Sequence, residues 1–284
     1  MFGSHLSIAG GMQLALLEAE KLGLDTVQVF TKNQQQWKCK PLDAEAIKLW
    51  KTELHRLKFK KTVSHVSYLI NVGSPDETLW RKSTDLLAEE LRRCDQLEIP
   101  YMVMHPGAHV GSGEAAGLKR IAAGLDMVHK AVPSKTVFTC LEITAGQGSS
   151  LGCKLEHLAE IISLVKDPER MGVCLDTAHL FAAGYDFRGD KYADFRKQLA
   201  RHLGLKRVKV LHLNDSKKEL GSRVDRHDHI GAGKIGLTGF EPIVNDSAFA
   251  AIPKILETPK GDGPEKQPWD TINLNALRAL IAAR

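Results

Sequence analysis

The sequence predicts a (β/α)₈ barrel, and three observations support this prediction. Short apolar runs alternate with longer amphipathic stretches along the whole chain. The runs are rich in Val, Ile and Leu, which is typical of parallel strands that are covered on both faces. Eight such runs are present, and most of them are followed by a helical pattern, which is the order of elements in a barrel of βα units.

The eight predicted strands are GSHLS (3–7), TVQVFT (26–31), KTVSHVS (61–67), YMVMHPG (101–107), VFTCLEIT (137–144), GVCLDTAH (172–179), VKVLHLND (208–215) and AIPKILET (251–258). Helices are predicted over 12–23, 77–99 and 155–167, ending at Gly23, before Pro100 and before Pro168. A doubly wound sheet is the competing fold, but IAGG after the first strand is not the glycine-rich phosphate turn of such sheets. With no linker or low-complexity tract, we expect one domain over 1–284.

Composition narrows the class of protein only moderately. The 284 residues carry a formal net charge of +5, which is compatible with a polyanionic partner but too slight to indicate one. No apolar run is long enough for a membrane span, and the first residues lack the pattern of a secretory signal. The five cysteines form no CxxC pair, which favours a reducing compartment. We therefore expect a cytoplasmic protein with no membrane partner, and we expect Cys140 and Cys174, in apolar strands, to pack in the core.

Titratable side chains stand at the ends of six consecutive predicted strands. These are His65, His105, Glu142, Asp176 with His179, His212 and Glu257, and the segment RVDRHDH adds Asp225 and His227. Because the carboxyl ends of barrel strands open on one face, all nine are expected at one mouth. A single His after an apolar run is more often a hydrogen-bonded structural residue. Nine titratable groups buried together, however, are costly unless cations compensate them.

The donor set indicates a centre with more than one metal ion. Imidazole and carboxylate without thiolate suit zinc, iron or manganese. At roughly four protein ligands for each ion, nine candidates suffice for two or three metals. Three divalent ions would exceed the charge of the four carboxylates by about two, which favours an anionic substrate such as a phosphodiester. His5 ends the first strand and is expected beside the site, whereas His109 and His229 near the mouth either contact the site or serve the loops.

Eight segments, taken in order, resemble one known family. They are FTKNQQQW (30–37), HVSYLINVGSP (65–75), HPGAHVGSG (105–113), LEITAGQGSSLG (141–152), GVCLDTAHLFAAGYD (172–186), LHLNDSK (211–217), DRHDHIGAGKIG (225–236) and LETP (256–259). Through them the chain resembles the endonuclease IV family of apurinic/apyrimidinic endonucleases over essentially its whole length. The resemblance implies a TIM barrel of the xylose-isomerase-like type that holds three zinc ions. Mn or Fe could occupy the same ligands.

The resemblance also implies a function and a ligand set. The function is DNA repair by hydrolysis of the phosphodiester bond 5′ to an abasic site in duplex DNA, leaving a 3′-hydroxyl and a 5′-deoxyribose phosphate. His65 and His105 would bind one zinc, with Glu142 bridging to a second that is completed by Asp176, His212 and Glu257. His179, Asp225 and His227 would hold the third. Metal coordination lowers the pKa of water toward ~7, and Glu142 and Glu257 would orient that water or accept its proton.

Damage recognition in the family implies further contacts with DNA. Tyr68 and Leu69 would wedge into the duplex, joined by Asn33 and Gln35, although ordinary loop packing is the simpler explanation of the first two. Lys32 and Arg226 would contact phosphates, although lone basic side chains are usually just solvated. Two positions depart from the family pattern. Ile143 stands where Asn is usual after the bridging glutamate, and Gln35 stands where an Arg often inserts into DNA.

Two other functions are weighed against the endonuclease. A sugar isomerase or epimerase of the xylose-isomerase-like barrel type also places carboxylates and histidines at strand ends, but for two metals and a small neutral substrate. A non-catalytic DNA-binding module would need no metal cluster. Five histidines in ligand positions and the DRHDH loop favour the nuclease, acting as a monomer on abasic duplex DNA and associated with the nucleoid through that substrate.

Overall fold

A closed barrel of eight parallel strands forms the centre of the molecule in the computed structural model, which describes residues 1–282. The strands are β1 (Phe2–His5), β2 (Thr26–Val29), β3 (Val63–His65), β4 (Tyr101–Met104), β5 (Phe138–Glu142), β6 (Met171–Asp176), β7 (Val208–His212), β8 (Asp215–Ser216), β9 (His227–Asp228) and β10 (Lys254–Leu256). Strands β8 and β9 form a separate antiparallel pair, and the other eight close the barrel as β1 pairs with both β2 and β10. The predicted fold class is confirmed.

Helices follow the barrel strands and cover the outer surface. They are α1 (Met12–Lys21), α2 (Ala44–Arg56), α3 (Glu77–Gln96), α4 (Glu114–Ala131), α5 (Leu155–Leu164), α6 (Thr177–Ala183), α7 (Tyr192–His202), α8 (Glu241–Asn245) and α9 (Trp269–Ala279). The three helices located from sequence are present but two or three residues shorter at their C-terminal ends. In α3 the reason is Glu98, whose positive φ of 57° turns the chain out of the helix before Pro100. None of the described helices is both long and apolar enough to cross a membrane.

A small apolar layer fills the interior of the barrel. It consists of one buried side chain from each of six strands: Val63, Val103, Cys140, Cys174, Val210 and Ile255. The prediction that Cys140 and Cys174 pack in the core is confirmed, and all five cysteines are free. The strand residues that follow this layer carry the polar groups of the mouth, so the layer forms the floor of the candidate site.

Glu90 on α3 is a buried carboxylate that is not among the nine residues predicted at the mouth. Its Oε1 accepts the backbone N–H of Ser67 at 3.0 Å, whereas its Oε2 has no hydrogen-bond partner among the described residues. Burial raises the pKa of Glu90 to about 7, although the Ser67 N–H opposes the shift. The folded state therefore favours the protonated acid.

This raised pKa predicts how stability depends on pH. The protonated acid stabilises the folded state fully below the unfolded pKa of 4.5, and this contribution is lost as pH rises through about 7. We expect the free energy of unfolding of Glu90→Gln, relative to the unmodified chain, to increase by up to about 3 kcal/mol between pH 4.5 and pH 8. Urea unfolding at several pH values measures this difference. A difference that does not change with pH would contradict the prediction.

Candidate metal centre

The nine side chains predicted at the mouth come together there. Three end barrel strands β3, β5 and β6, two follow β4 and β10 directly, and His212 ends β7. The remaining three lie on α6, in the loop after β8 and at the start of β9. All are buried or half-buried, and the most exposed side chains are Asp225 at 42% and His105 at 38%.

Glu142 lies at the centre of this cluster and is fully buried. Its Oε2 is 3.1 Å from His65 Nε2 and 3.2 Å from His105 Nε2. Its Oε1 is 2.9 Å from His212 Nδ1 and 3.4 Å from His179 Nδ1. Each carboxylate oxygen thus faces a different pair of imidazoles, which is the arrangement expected of a carboxylate that bridges two cations.

The histidines control the charge of the two central carboxylates. Burial alone would raise the pKa of Glu142, but the imidazoles of His212 and His105 outweigh it, and the pKa lies well below its ordinary value. Burial is likewise outweighed at Glu257, where His212 holds the pKa well below the usual range. Both carboxylates are therefore anionic at neutral pH, and imidazole nitrogens surround them.

Asp176 and His179 owe their positions to a strand-to-helix junction. The predicted end of the sixth strand at residue 179 is wrong by three residues, because β6 ends at Asp176 and α6 begins at Thr177. Asp176 is the N-cap of α6, and its Oδ1 accepts the backbone N–H of His179 at 2.8 Å. Its Oδ2 accepts from Asn214 Nδ2 at 2.6 Å. The cap therefore presents carboxylate and imidazole on one side of the first helical turn.

A second cluster of candidate ligands consists of His179, His227 and Asp225. The Nε2 of His179 lies 3.1 Å from Asp225 Oδ2, and the Nε2 of His227 lies 3.3 Å from Asp225 Oδ1. Both nitrogens are buried, and neither makes a hydrogen bond of acceptable geometry within the described residues. Buried imidazole nitrogens rarely remain unsatisfied. A cation held between them and the carboxylate would satisfy both, so the residues fit a metal ion.

Four groups of side chains bring potential ligand atoms within 4.8 Å of one another: His65, His105 and Glu142; Glu142, Asp176, His212 and Glu257; Asp176, His179 and His227; and Glu142, Cys174 and His212. The first two contain the sets that the family resemblance implies for two zinc ions. The third contains Asp176, where the resemblance implies Asp225. Burial raises the pKa of the Cys174 thiol, which disfavours the thiolate that a metal would require.

A buried carboxylate that sequence reasoning missed fixes the loop carrying Asp225 and His227. Asp215 is fully buried, and its two oxygens accept four backbone N–H groups at 2.8–3.2 Å, from Ser216, Gly231, Ile235 and Gly236. A Cβ on Gly233 would lie 2.5 Å from Asp215 Oδ1, so only glycine permits this close approach. The sequence signal for these contacts is the motif HLND followed by IGAGKIG, in which an acidic residue precedes a glycine-rich segment.

Two polar side chains that the sequence did not predict as site residues connect the ends of different strands. Asn214 bridges Asp176 and Glu257, since its Oδ1 accepts the backbone N–H of Glu257 at 2.8 Å. Gln28, within the predicted second strand, contacts both His212 and Glu257. Ile143 points its side chain into the core, and its carbonyl oxygen accepts from His179 Nδ1 at 3.0 Å. The backbone at this departure from the family pattern therefore still orients a candidate ligand.

The predicted DNA contacts lie on loops around the mouth. Tyr68 is 68% exposed and lines two cavities of about 570 and 670 Å³, one on each side of it. Its ring packs edge-on against Phe30, with centroids 5.6 Å apart. Leu69 beside it is half-buried. Asn33, Gln35 and Arg226 are exposed, and the side chain of Asn33 accepts the N–H of Gln35.

Lys32, which was predicted to contact a phosphate, is buried in the loop after β2. It is 5% exposed, and its ammonium donates to the carbonyl oxygens of Asn33 at 2.7 Å and Gln36 at 2.5 Å. Burial lowers the pKa of Lys32. In this structure the side chain stabilises the loop that carries Asn33 and Gln35, and its charge is already used inside the protein. A direct phosphate contact is therefore not favoured here.

The three histidines expected near the site divide into two classes. His5 lies beside the cluster, with its Nδ1 3.4 Å from Glu257 Oε1. His109 instead accepts the backbone N–H groups of Gly111 and Gly113 in the loop before α4. His229 stacks on Trp269, with ring centroids 3.6 Å apart. The contacts of His109 and His229 are thus with loop backbone and with α9, which favours the second alternative that the sequence left open.

Comparison with known proteins identifies the family. A family model described as xylose isomerase-like TIM barrel matches residues 16–280. A protein of Chloroflexus aggregans named probable endonuclease 4 is 48% identical over 281 residues, which cover 99% of this chain and 97% of that protein. The chain belongs to the endonuclease 4 family. The crystal structure of endonuclease IV from Thermus thermophilus has 36% identity and a TM-score of 0.87, and the match covers 98% of each chain.

Sugar epimerases share the fold of this endonuclease 4 family member. The crystal structure of D-psicose 3-epimerase from Clostridium cellulolyticum H10 matches 99% of each chain with a TM-score of 0.71. Its sequence is only 14% identical, so this likeness shows the barrel and carries nothing about activity.

Proposed function

We propose that this endonuclease 4 family member is a zinc-dependent DNA-repair enzyme that cuts duplex DNA on the 5′ side of an abasic site. The product ends are a 3′-hydroxyl and a 5′-deoxyribose phosphate. The convergence of nine imidazoles and carboxylates at one barrel mouth, in a chain of this family, is the observation that supports the proposal most directly. A monomer acting in the cytoplasm is part of the same proposal.

The proposed ligands follow the groups found at the mouth. His65, His105 and Glu142 would hold one ion, and Glu142 with Asp176, His212 and Glu257 a second. His179 and His227 would hold the third with Asp225, because both imidazole nitrogens point at that carboxylate. When bound, such ions acidify water and stabilise negative charge on phosphate oxygens. Zinc is favoured by the nitrogen-rich donor set, and Mn or Fe would fit the same ligands.

Glu142 and Glu257 are the proposed catalytic carboxylates of the chain. One oxygen of each lies close to His212 Nδ1, at 2.9 Å for Glu142 and 3.1 Å for Glu257. A carboxylate held this rigidly can accept a hydrogen bond from an attacking water and fix its direction of approach. Rigid placement matters because a reacting atom displaced by about 1 Å costs on the order of a hundredfold in rate.

Tyr68 is the proposed wedge for damage recognition. Phe30 holds its ring at the base, while most of the side chain projects between the two cavities. Unstacking a DNA duplex costs least where a base is already missing, so such a ring would enter at an abasic site and push the sugar toward the metal centre. The cavity of about 570 Å³ lies within the usual range of ligand sites and borders His105, His179 and Asp225.

The loop that carries Asn33 and Gln35 would belong to the same DNA interface as Tyr68, but these two side chains add no positive charge to it. Asn33 and Gln35 are exposed there, and Arg226 is exposed in the segment between β8 and β9. A neutral amide at position 35 contributes no counterion release, so we infer a smaller salt dependence of DNA binding than an Arg at that position would give.

The decisive experiment is incision of a labelled duplex that carries one abasic analogue. We expect the zinc-loaded protein to nick this duplex at the phosphate 5′ to the lesion and to leave an intact duplex uncut. Removal of all metal with a chelator should abolish the nicking, and added Zn²⁺ should restore it. Added Mn²⁺ or Fe²⁺ compares the other metals that suit these ligands. Full activity after complete removal of metal would refute the proposed centre.

A further inference from the structure

A single amide inside the barrel wall connects several of the proposed metal ligands. Gln28 is the third residue of β2, between Val27 and Val29, and it is fully buried. It pairs with His5 on β1. A polar side chain that is buried in a barrel strand must satisfy its hydrogen bonds within the protein, so its partners indicate what it does.

The contacts of Gln28 involve three charged or titratable side chains. Its Nε2 lies 2.6 Å from Glu257 Oε1 and 2.9 Å from His5 Nδ1. Its Oε1 lies 2.8 Å from His212 Nε2. These three contacts use both N–H groups of the amide and its carbonyl oxygen.

The chemistry of the partners fixes the orientation of the amide. An ionised carboxylate only accepts hydrogen bonds, so the amide nitrogen must face Glu257. The amide oxygen must then face His212, and an oxygen can only accept. The Nε2 of His212 therefore carries a hydrogen, which it donates to Gln28.

We propose that Gln28 is a positioning residue that selects the metal-binding nitrogen of His212. With a hydrogen held on Nε2, the lone pair of the neutral ring is on Nδ1, which lies 2.9 Å from Glu142 Oε1 and 3.1 Å from Glu257 Oε2. A ligating histidine commonly donates its other ring N–H to a neighbouring acceptor, which fixes the tautomer. This proposal rests on the metal centre of the proposed function.

Gln28 also fixes the orientation of Glu257. By donating to Oε1, the amide leaves Oε2 on the side of His212 Nδ1. The backbone N–H of Glu257 is held separately by Asn214. One amide thus orients two ligands of the same proposed ion, namely the imidazole from β7 and the carboxylate after β10.

The test uses Gln28→Met, which keeps the length of the side chain and removes both polar ends. We expect the dissociation constant of the Zn²⁺ that His212 and Glu257 would hold to rise by about ten- to a hundredfold. Competition with a chelator of known affinity measures this constant on the full chain, and elemental analysis gives the number of ions. Nitrogen-15 spectra of the zinc-loaded protein should show His212 protonated on Nε2 in the unmodified chain and on a mixture of nitrogens in the variant.

The matched control is Thr26→Val, two residues earlier on β2. Thr26 is also fully buried, and its hydroxyl donates to Lys61 O at 2.8 Å without touching the cluster. We expect its zinc affinity to stay within about twofold, since the change removes no contact to a ligand. Gln28→Leu, with the same expected loss, replaces Gln28→Met if the latter does not fold.

The outcomes separate this proposal from the one on which it depends. If the unmodified chain binds zinc and Gln28→Met binds it as tightly as Thr26→Val does, the role of Gln28 is refuted and the metal centre stands. If the unmodified chain binds no zinc, the metal centre is refuted, and the role of Gln28 falls with it.

Discussion

Glu142→Gln is expected to lower the rate of abasic-site incision by roughly three orders of magnitude or more, the scale seen for single groups that organise reacting charge. The substitution keeps the volume of the side chain but replaces one oxygen with an amide nitrogen, which cannot accept a hydrogen bond or bind a cation. Because the two oxygens face the pairs His65 with His105 and His212 with His179, either orientation of the amide disrupts one pair. Single-turnover incision of the abasic duplex measures the loss.

Asp246→Asn is the control for Glu142→Gln. The Asp246 side chain is 5% exposed and pairs with Arg196 at 2.6 Å and Tyr192 at 2.7 Å, on the segment after α8. It has a buried charge to lose but no contact with the mouth, so we expect near-normal incision. Measuring the zinc content of Glu142→Gln distinguishes two causes of slow incision. Fewer bound ions would indicate that the substitution removed a metal ligand, whereas an unchanged number would indicate that it impaired the reaction itself. Turnover of Glu142→Gln close to that of Asp246→Asn would remove the central carboxylate from the mechanism.

The barrel and the convergence of its strand ends could be predicted because they depend on repeated features. Each strand is short, apolar and parallel to its neighbours, so the residue at its carboxyl end must lie at the mouth of the barrel. His65, His105 and Glu142 come from three different strands, and both imidazoles still lie within 3.2 Å of the carboxylate. Errors of two or three residues at element ends did not change this result, since the strands themselves set the mouth.

Side chains in loops were less predictable, because their directions depend on contacts made far along the chain. Lys32 looked like a surface charge, yet two carbonyl oxygens of its own loop take up its ammonium. His229 was near the mouth in sequence, but stacking on Trp269 of α9 sets its position. No local pattern encodes a partner so distant in sequence, and the same holds for the contact of Gln28 with His212.

Asp215 shows how a strand-end acid can serve structure rather than metal binding. It follows β7 closely in sequence, as a ligand would, but its oxygens are occupied by four backbone N–H groups. Most of those donors belong to the segment that returns from Asp225 and His227 toward α8. The carboxylate thus stabilises the loop that carries two of the proposed ligands, so the stability of the fold is linked to the proposed third metal site.

Asp215→Ala is therefore expected to lower the free energy of unfolding by about 4 kcal/mol, since it leaves several backbone donors without an acceptor at about 1–3 kcal/mol for each buried group. Urea unfolding of the metal-free chain measures this loss. Asp228→Ala is the matched control, because Asp228 pairs with Asp215 across β8 and β9, and within residues 1–282 its side chain accepts only the N–H of His229. We expect about 1 kcal/mol or less from the control.

The zinc-loaded Asp215→Ala protein should also release one ion to a chelator before the others, as the loop carrying Asp225 and His227 loosens. Equal losses of stability in the two variants would show that the four hydrogen bonds to Asp215 do not hold this loop.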